Sequence, residues 1–207
     1  MPHKKSSSRK RRVLLNAGCG TSDGRRLPRF FREWRQIRVD VDASLNPDLV
    51  ASIADLSAVP DNSIDAIWCS HCMEHLFAYQ VPLALAEFRR LLCADGFACI
   101  IVPDLQSIAY WIATDKLHET IYESVPGPVT AHDMIWGFGP AIAAGKRSMA
   151  HRCGFAPTLL LAYLKEAGFT EIVLRRRPSS LELAGLALQK PSRNAKARKE
   201  LMTALGL

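Results

Sequence analysis

Residues 13–20 read VLLNAGCG, and the fold of the chain turns on how that stretch is read. Val13, Leu14, Leu15 and Ala17 make an apolar run broken only by Asn16, and Gly18-Cys19-Gly20 ends it abruptly. An apolar run closing on G-x-G is the pattern of a buried parallel strand entering a helix. Glycine suits the turn because, lacking Cβ, it accepts positive φ and lets a ligand approach the backbone. The start of the following helix offers unpaired N–H groups to an electron-rich ligand. A G-x-G turn also serves plain tight packing, so its meaning depends on its surroundings.

The 207 residues suit one domain with a real core. An apolar content of 48% against 23% charged is that of an ordinary globular chain. No apolar run nears the roughly 18–20 residues of a membrane span. The basic N-terminus lacks the apolar segment of a secretory signal, so a cytoplasmic location is expected. Cys19, Cys69, Cys72, Cys93, Cys99 and Cys153 lie mostly within apolar runs and read as reduced thiols. The net charge of +7 is concentrated at the ends. Residues 1–12 hold six Lys/Arg and no acid, and residues 190–207 hold five Lys/Arg against Glu200. Both ends read as solvated basic tails around a slightly acidic domain at 13–189, which makes a nucleic-acid partner an unfavoured reading.

Along the chain, residues 22–35 suggest a helix interrupted by Pro28, with an apolar stripe of Leu27, Phe30, Phe31 and Trp34. Strands are expected at 37–42, 49–53, 64–69 and 97–102, and a helix at 81–92 with Pro82 in its first turn. The alternation implies a parallel sheet covered by helices on both faces. Residues 105–150 break the rhythm with aromatics, glycines and prolines, and read as a helical lid or substrate insertion after the fifth strand. A helix at 157–167 and two strands at 172–176 and 181–188 complete the pattern. The link between those last strands is short enough only for a hairpin, so the final strand runs antiparallel. The expected fold is a Rossmann-like, seven-stranded, mostly parallel sheet.

The glycine loop, Asp42 and Asp55 fall at the carboxyl ends of successive strands, the rim where open parallel sheets bind ligands. Asp42 lies 22 residues after Gly20, near the spacing of about 20 for an acid meeting ribose hydroxyls. A carboxylate can accept from both hydroxyls of a vicinal diol. A turn or helix cap, with Ser44 and Asn46 following, is the other reading of Asp42, and Asp40 on the same strand face is the alternative acid.

At this point the chain resembles the class I S-adenosylmethionine-dependent methyltransferases. The matching stretches are VLLNAGCG, VDVDAS, ADLSAVPDNSIDAIWCSHCMEHL, AEFRRLLCADGFACIIVPDL and HRCGFAPTLLLAYLKEAGFTEIVLRRR, in order across 13–189. It is most similar to a small, type 11-like branch with L-N-x-G-C-G in the loop and D-M-I-x-G in the insert, as at 133–137 here. The resemblance implies S-adenosylmethionine as cofactor. Asn16, Ala17, Gly18, Cys19 and Gly20 would line its methionine moiety, Asp42 would hold the ribose, and Ala43 would lie against the adenine. Asp55 would accept from the adenine amino group and the Leu56 amide would face the ring. Ser70 and His71 would border the sulfonium. Asn16 replaces the commoner acid, and Ser22 stands where many relatives carry a third glycine.

A dinucleotide reading fares worse, since Asp23 occupies the third glycine position of G-x-G-x-x-G and would repel a pyrophosphate. The Cys69-x-x-Cys72 pair with His71 and His75 resembles a metal set on paper, but Cys69 belongs to a buried strand, and no metal is assigned. Methyl transfer to a hydroxyl or protonated amine needs a base. His71, His75, His132 and His151 are candidates; His71 leads by position, with His132 second as a catalytic residue from the insertion. The expected acceptor is a small molecule or glycan, methylated on O or N. The alternatives are a cofactor-binding regulator without turnover and a nucleic-acid or protein modifier using its basic tails.

Overall fold

The computed structural model describes residues 11–20, 27–191 and 195–206. Five parallel strands form its centre: β1 Val13–Ala17, β2 Arg35–Asp40, β3 Leu49–Val50, β4 Ile64–Ser70 and β5 Leu92–Pro103. The helix α1, Val81–Leu91, leads into β5 and turns Val81, Ala84, Leu85, Phe88 and Leu91 onto the sheet at helical spacing. After β5 come α2 Leu105–Ala113, a hairpin of β6 Thr120–Ser124 and β7 Gly127–Thr130, then α3 Ala131–Trp136 and α4 Gly139–Ala143. The chain closes with α5 Pro157–Glu166, β8 Glu171–Arg177, β9 Glu182–Leu188 and α6 Ala195–Ala204. The seven-stranded sheet has the order β3-β2-β1-β4-β5-β9-β8, with β9 antiparallel to both neighbours.

This order places the functional rim. Strand order reverses between β1 and β4, and the crevice at the carboxyl ends of such a pair is where open sheets hold ligands. An antiparallel strand starts where parallel ones finish. Glu182, the first residue of β9, therefore sits beside Pro103 on the same rim.

Side chains alternate between two apolar layers. Leu15, Ile67, Ile100 and Ala187 pack against α1 and α5 on one face. Leu14, Trp68, Cys99 and Leu186 face the other, under Phe31 and Trp34. That second layer is covered less by helix than the sequence suggests. In place of a helix over 22–35, the described residues form a single 3-10 turn, Arg29–Phe31, and β2 already begins at Arg35; residues 21–26 lie outside the described ones. Pro28 starts the turn and the aromatic stripe holds it down, Phe31 meeting Trp34 edge-on at 5.3 Å between centroids.

Three further differences have physical causes. The third strand is two residues rather than five, because the chain leaves the edge to form the loop before β4. The insertion is not all helical: Thr120–Ser124 alternates in polarity and pairs back on Gly127–Thr130, with Gly127 at φ +134° in the turn. Its own small core holds Ile108, Val129, Ala131, Met134 and Leu181. The C-terminal segment departs from a solvated tail, since Leu201, Met202 and Leu205 of α6 and its end pack on the second sheet face. The N-terminal residues 1–10 lie outside the described ones, while Arg12 stacks over Trp34 at 5.2 Å. No helix among the described residues is long and apolar enough to cross a membrane.

Deleting residues 195–207 removes that cover. With Leu205 only 3% exposed and about 1.5–3 kcal/mol for a fully buried apolar side chain, the truncated chain should lose about 2–4 kcal/mol in urea unfolding. An unchanged midpoint would make α6 a passive appendage.

Candidate active site

The loop after β1 is held in an uncommon conformation by its neighbours. Gly18 and Gly20 both have positive φ, +66° and +59°. The Cys19 N–H donates to Val39 O (3.0 Å) and the Gly20 N–H to Asp40 Oδ2 (3.0 Å). The other Asp40 oxygen accepts from the Asp42 N–H at 3.0 Å. One carboxylate thus ties the glycine loop to the end of β2. A Cβ at Gly18 would stand 2.5 Å from Cys72 Sγ and 2.6 Å from Cys72 Cβ. The loop therefore lies directly against the turn that follows β4.

Beside this loop opens a cavity of about 630 Å³, a size typical of small-ligand sites. Its sheet side is formed by Asn16, Gly18, Cys19, Ser70 and His71, and its insertion side by Tyr122, Val129, Met134 and Phe138. His75, His151, Arg177 and Glu182 also line it. The insertion therefore overhangs the carboxyl rim.

His71 is the most constrained of these groups. It adopts φ +50°, a strained region for a residue with Cβ, and its N–H donates to Ile101 O at 2.9 Å. Its Nε2 meets Glu182 Oε1 at 2.7 Å and its Nδ1 lies 3.3 Å from Glu74 Oε1. Burial disfavours its charge, but the Glu182 and Glu74 carboxylates outweigh that and raise its pKa to about 10. An imidazolium at neutral pH has no lone pair with which to take a proton. Both ring nitrogens of His71 thus face carboxylates, an arrangement that suits a fixed positive charge at the end of β4. Ser180 and Arg177 complete the set on Glu182, the Ser180 hydroxyl donating to Oε2 at 2.9 Å and Arg177 at 3.4 Å.

The cavity gathers Asn16, Gly18, Cys19, Ser70 and His71, and leaves the other expected residues outside its lining. Ala17 is buried with its side chain in the α1 layer. Asp42 caps the turn that contains Ala43, its Oδ1 accepting from both the Ser44 N–H (2.9 Å) and the Ser44 hydroxyl (2.6 Å). Those bonds hold its carboxyl below the usual range. Asp55 is exposed and accepts from the Ser57 N–H at 3.2 Å. The Leu56 amide does not face a ligand: it donates to Glu87 Oε2 of α1 at 2.8 Å, and Arg90 braces both Glu87 and the Leu56 carbonyl. His132 stacks with Trp136 (4.7 Å) and His118 (5.5 Å) in the insertion. His132 itself does not line the cavity.

Two cavity residues escaped sequence reasoning. Glu182 lies 111 residues from His71, and no local spacing links them. The available signal was a lone acid opening an otherwise apolar strand, ELAGLAL. Arg177 ends β8 across from it.

Residues 15–100 match the family model described as a methyltransferase domain. No curated protein matches significantly. Among solved structures, an S-adenosylmethionine-dependent methyltransferase from Archaeoglobus fulgidus aligns with TM-score 0.57 at 16% identity, covering 86% of each chain. The 1,6-didemethyltoxoflavin-N1-methyltransferase of Burkholderia thailandensis, solved with S-adenosylhomocysteine, aligns with TM-score 0.54 at 17% identity, over 87% of this chain and 72% of that one. A Pyrococcus horikoshii protein aligns with TM-score 0.58 at 14% identity, over 87% and 83%. At these identities the structural likeness concerns the fold, and the family match concerns the domain.

Proposed function

We propose that this chain is a class I S-adenosylmethionine-dependent methyltransferase, and that it methylates a small-molecule or glycan acceptor on oxygen or nitrogen inside the cavity between the β1/β4 rim and the insertion. The observation that carries this reading is the overhang. Rim residues that suit the cofactor and insertion residues that suit an acceptor enclose one volume of about 630 Å³, the scale of a small ligand rather than of a protein surface.

The residues present fit the cofactor. The glycine loop leaves its backbone approachable, with no atom of the described residues within 4 Å of a Cβ placed at Gly20. Asn16 and Ser70 supply polar groups on either side of the strand reversal. Asp40 takes the ribose role in preference to Asp42, because it is the acid tied to the glycine loop. Each carboxylate oxygen has two lone pairs, so one amide bond apiece leaves room for a hydroxyl.

When bound, S-adenosylmethionine supplies a methyl group activated by its sulfonium. The chain's own contribution is alignment and exclusion of water, which the insertion provides by closing over the rim. His71, held charged between Glu182 and Glu74, fixes the end of β4 rather than moving a proton.

The test is transfer of a labelled methyl group from S-adenosylmethionine to a panel of hydroxyl- and amine-bearing metabolites and sugars. Phe138→Ala should raise the acceptor KM by about tenfold, the loss of roughly 1.4 kcal/mol of contact, with cofactor affinity unchanged. His132→Ala should leave both within about twofold, as for a change outside the site. A fall in cofactor affinity for Phe138→Ala would place the insertion around the adenosyl group instead.

A further inference from the structure

Glu74 poses a problem that the methyltransferase reading leaves unsolved. It is 1% exposed, and neither carboxylate oxygen has a hydrogen-bond partner among the described residues. Leaving a buried carboxylate unbonded is among the costlier arrangements in a protein interior. The His71 Nδ1 at 3.3 Å from Oε1 balances its charge in part without making a hydrogen bond.

Two histidines complete its surroundings. His75 follows it in the turn after β4, and His151 arrives from the end of the insertion. One donor atom from each of Glu74, His75 and His151 lies within 4.8 Å of the other two. The chain secures this meeting of distant segments. The Glu74 carbonyl accepts from the Arg152 N–H (2.8 Å) and the Cys153 N–H (3.3 Å), and the His151 N–H donates to Trp136 O (3.2 Å). Gly137, at φ +95°, lets the Met149 carbonyl pass where a Cβ would collide.

We propose that Glu74, His75 and His151 bind one divalent transition-metal ion, of the Zn²⁺ class, beside the cavity.

The second observation supporting this is the orientation of both rings. His75 Nδ1 meets Ala150 O at 3.2 Å and His151 Nδ1 meets Met134 O at 3.0 Å. A carbonyl oxygen only accepts, so each Nδ1 carries the proton, and in the neutral ring each Nε2 keeps its lone pair. An imidazole held by Nδ1–H to a backbone carbonyl is the usual arrangement for metal-ligating histidines. Two imidazoles and one carboxylate suit Zn²⁺ and its neighbours better than Mg²⁺ or Ca²⁺, which prefer oxygen. With bonds of about 2.0–2.2 Å, donor atoms on one ion stand roughly 3–3.5 Å apart, so the three must close by about an ångström on loading.

Three protein ligands leave a coordination position open. His75 and His151 both line the cavity, so the open position would be reached from it. One consequence rests on the function proposed above, although metal binding itself does not. An acceptor hydroxyl would occupy the open position and release its proton to water, as metal-bound water does near pH 7. The chain would then need no histidine base. The C-x-x-C pair takes no part: Cys69 is buried in the α1 layer and Cys72 packs on Gly18.

The experiment is titration of the full chain, stripped with chelator, with Co²⁺ alone, followed by its visible absorption and by competition with Zn²⁺. One equivalent should bind without a thiolate charge-transfer band. His151→Ala and Glu74→Gln should each weaken binding at least about 100-fold, a ligand counting for no less than the partners that orient it. Cys72→Ser should bind as the wild type does. Glu74→Gln preserves side-chain volume, so it keeps the test valid if His151→Ala fails to fold. Absence of stoichiometric binding, unchanged affinity in both variants, or loss in Cys72→Ser would overturn the proposal. S-adenosylhomocysteine binding measured on the same samples separates the outcomes, since its retention in metal-free protein leaves the methyltransferase reading standing when the metal site fails.

Discussion

Gly18→Ala is expected to reduce S-adenosylhomocysteine affinity by at least about 100-fold. Two effects add at this position. The backbone sits at φ +66°, where a residue with Cβ pays of order 1–3 kcal/mol. The new methyl would also stand 2.5 Å from Cys72 Sγ and 2.6 Å from Cys72 Cβ. The near atom includes Cβ, which rotation of the side chain cannot move away, so the loop itself must shift. About 1.4 kcal/mol corresponds to each tenfold in affinity, and a displaced loop loses several contacts at once. Gly20→Ala is the internal control, because φ there is similar, +59°, yet nothing among the described residues stands within 4 Å. It should cost about tenfold through conformation alone. Calorimetric titration of both variants checks the pair, and equal losses would show that space against Cys72 is not what Gly18 provides.

Asp40→Ala is the second large effect, expected at about 100-fold or more on the same affinity. A hydrogen bond to a charged acceptor contributes about 1.5–3 kcal/mol. Asp40 anchors the Gly20 and Asp42 amides as well as standing at the end of β2. Asp42→Ala should change affinity by less than about fivefold, since its carboxylate bonds Ser44 at the surface and makes no bond to the glycine loop. A steeper loss for Asp42→Ala than for Asp40→Ala would return the ribose contact to the later acid.

The choice between those two acids marks the limit of what the sequence makes legible. VLLNAGCG gives the strand, the turn and the rim, because glycine spacing and apolar runs are local properties. The sheet follows too, since a short link before β9 permits only an antiparallel return. IRVDVD offers two acids on one strand face, and spacing alone does not separate them. Their difference lies in which carboxylate meets the Gly20 amide, a contact across 20 positions. Leu56 fails for a related reason: its amide is claimed by Glu87, 31 residues away. The C-terminal helix is hidden by its charge, because Lys196, Lys199 and Glu200 dominate a segment whose Leu201, Met202 and Leu205 reach the sheet. His71 is legible as a rim residue and not as a cation, since one of the two carboxylates that raise its pKa, Glu182, comes from the far end of the chain. In each case the sequence carries what neighbours in the chain decide and withholds what folding brings together.

Titration of the full-length chain with S-adenosylhomocysteine tests the central claim most directly. One site per chain, with a dissociation constant in the micromolar range or tighter (about −8 kcal/mol) and lost in Gly18→Ala, is the expected result. No heat of binding and no rise in melting temperature up to about 1 mM ligand, a span reaching affinities as weak as roughly −4 kcal/mol, would contradict it.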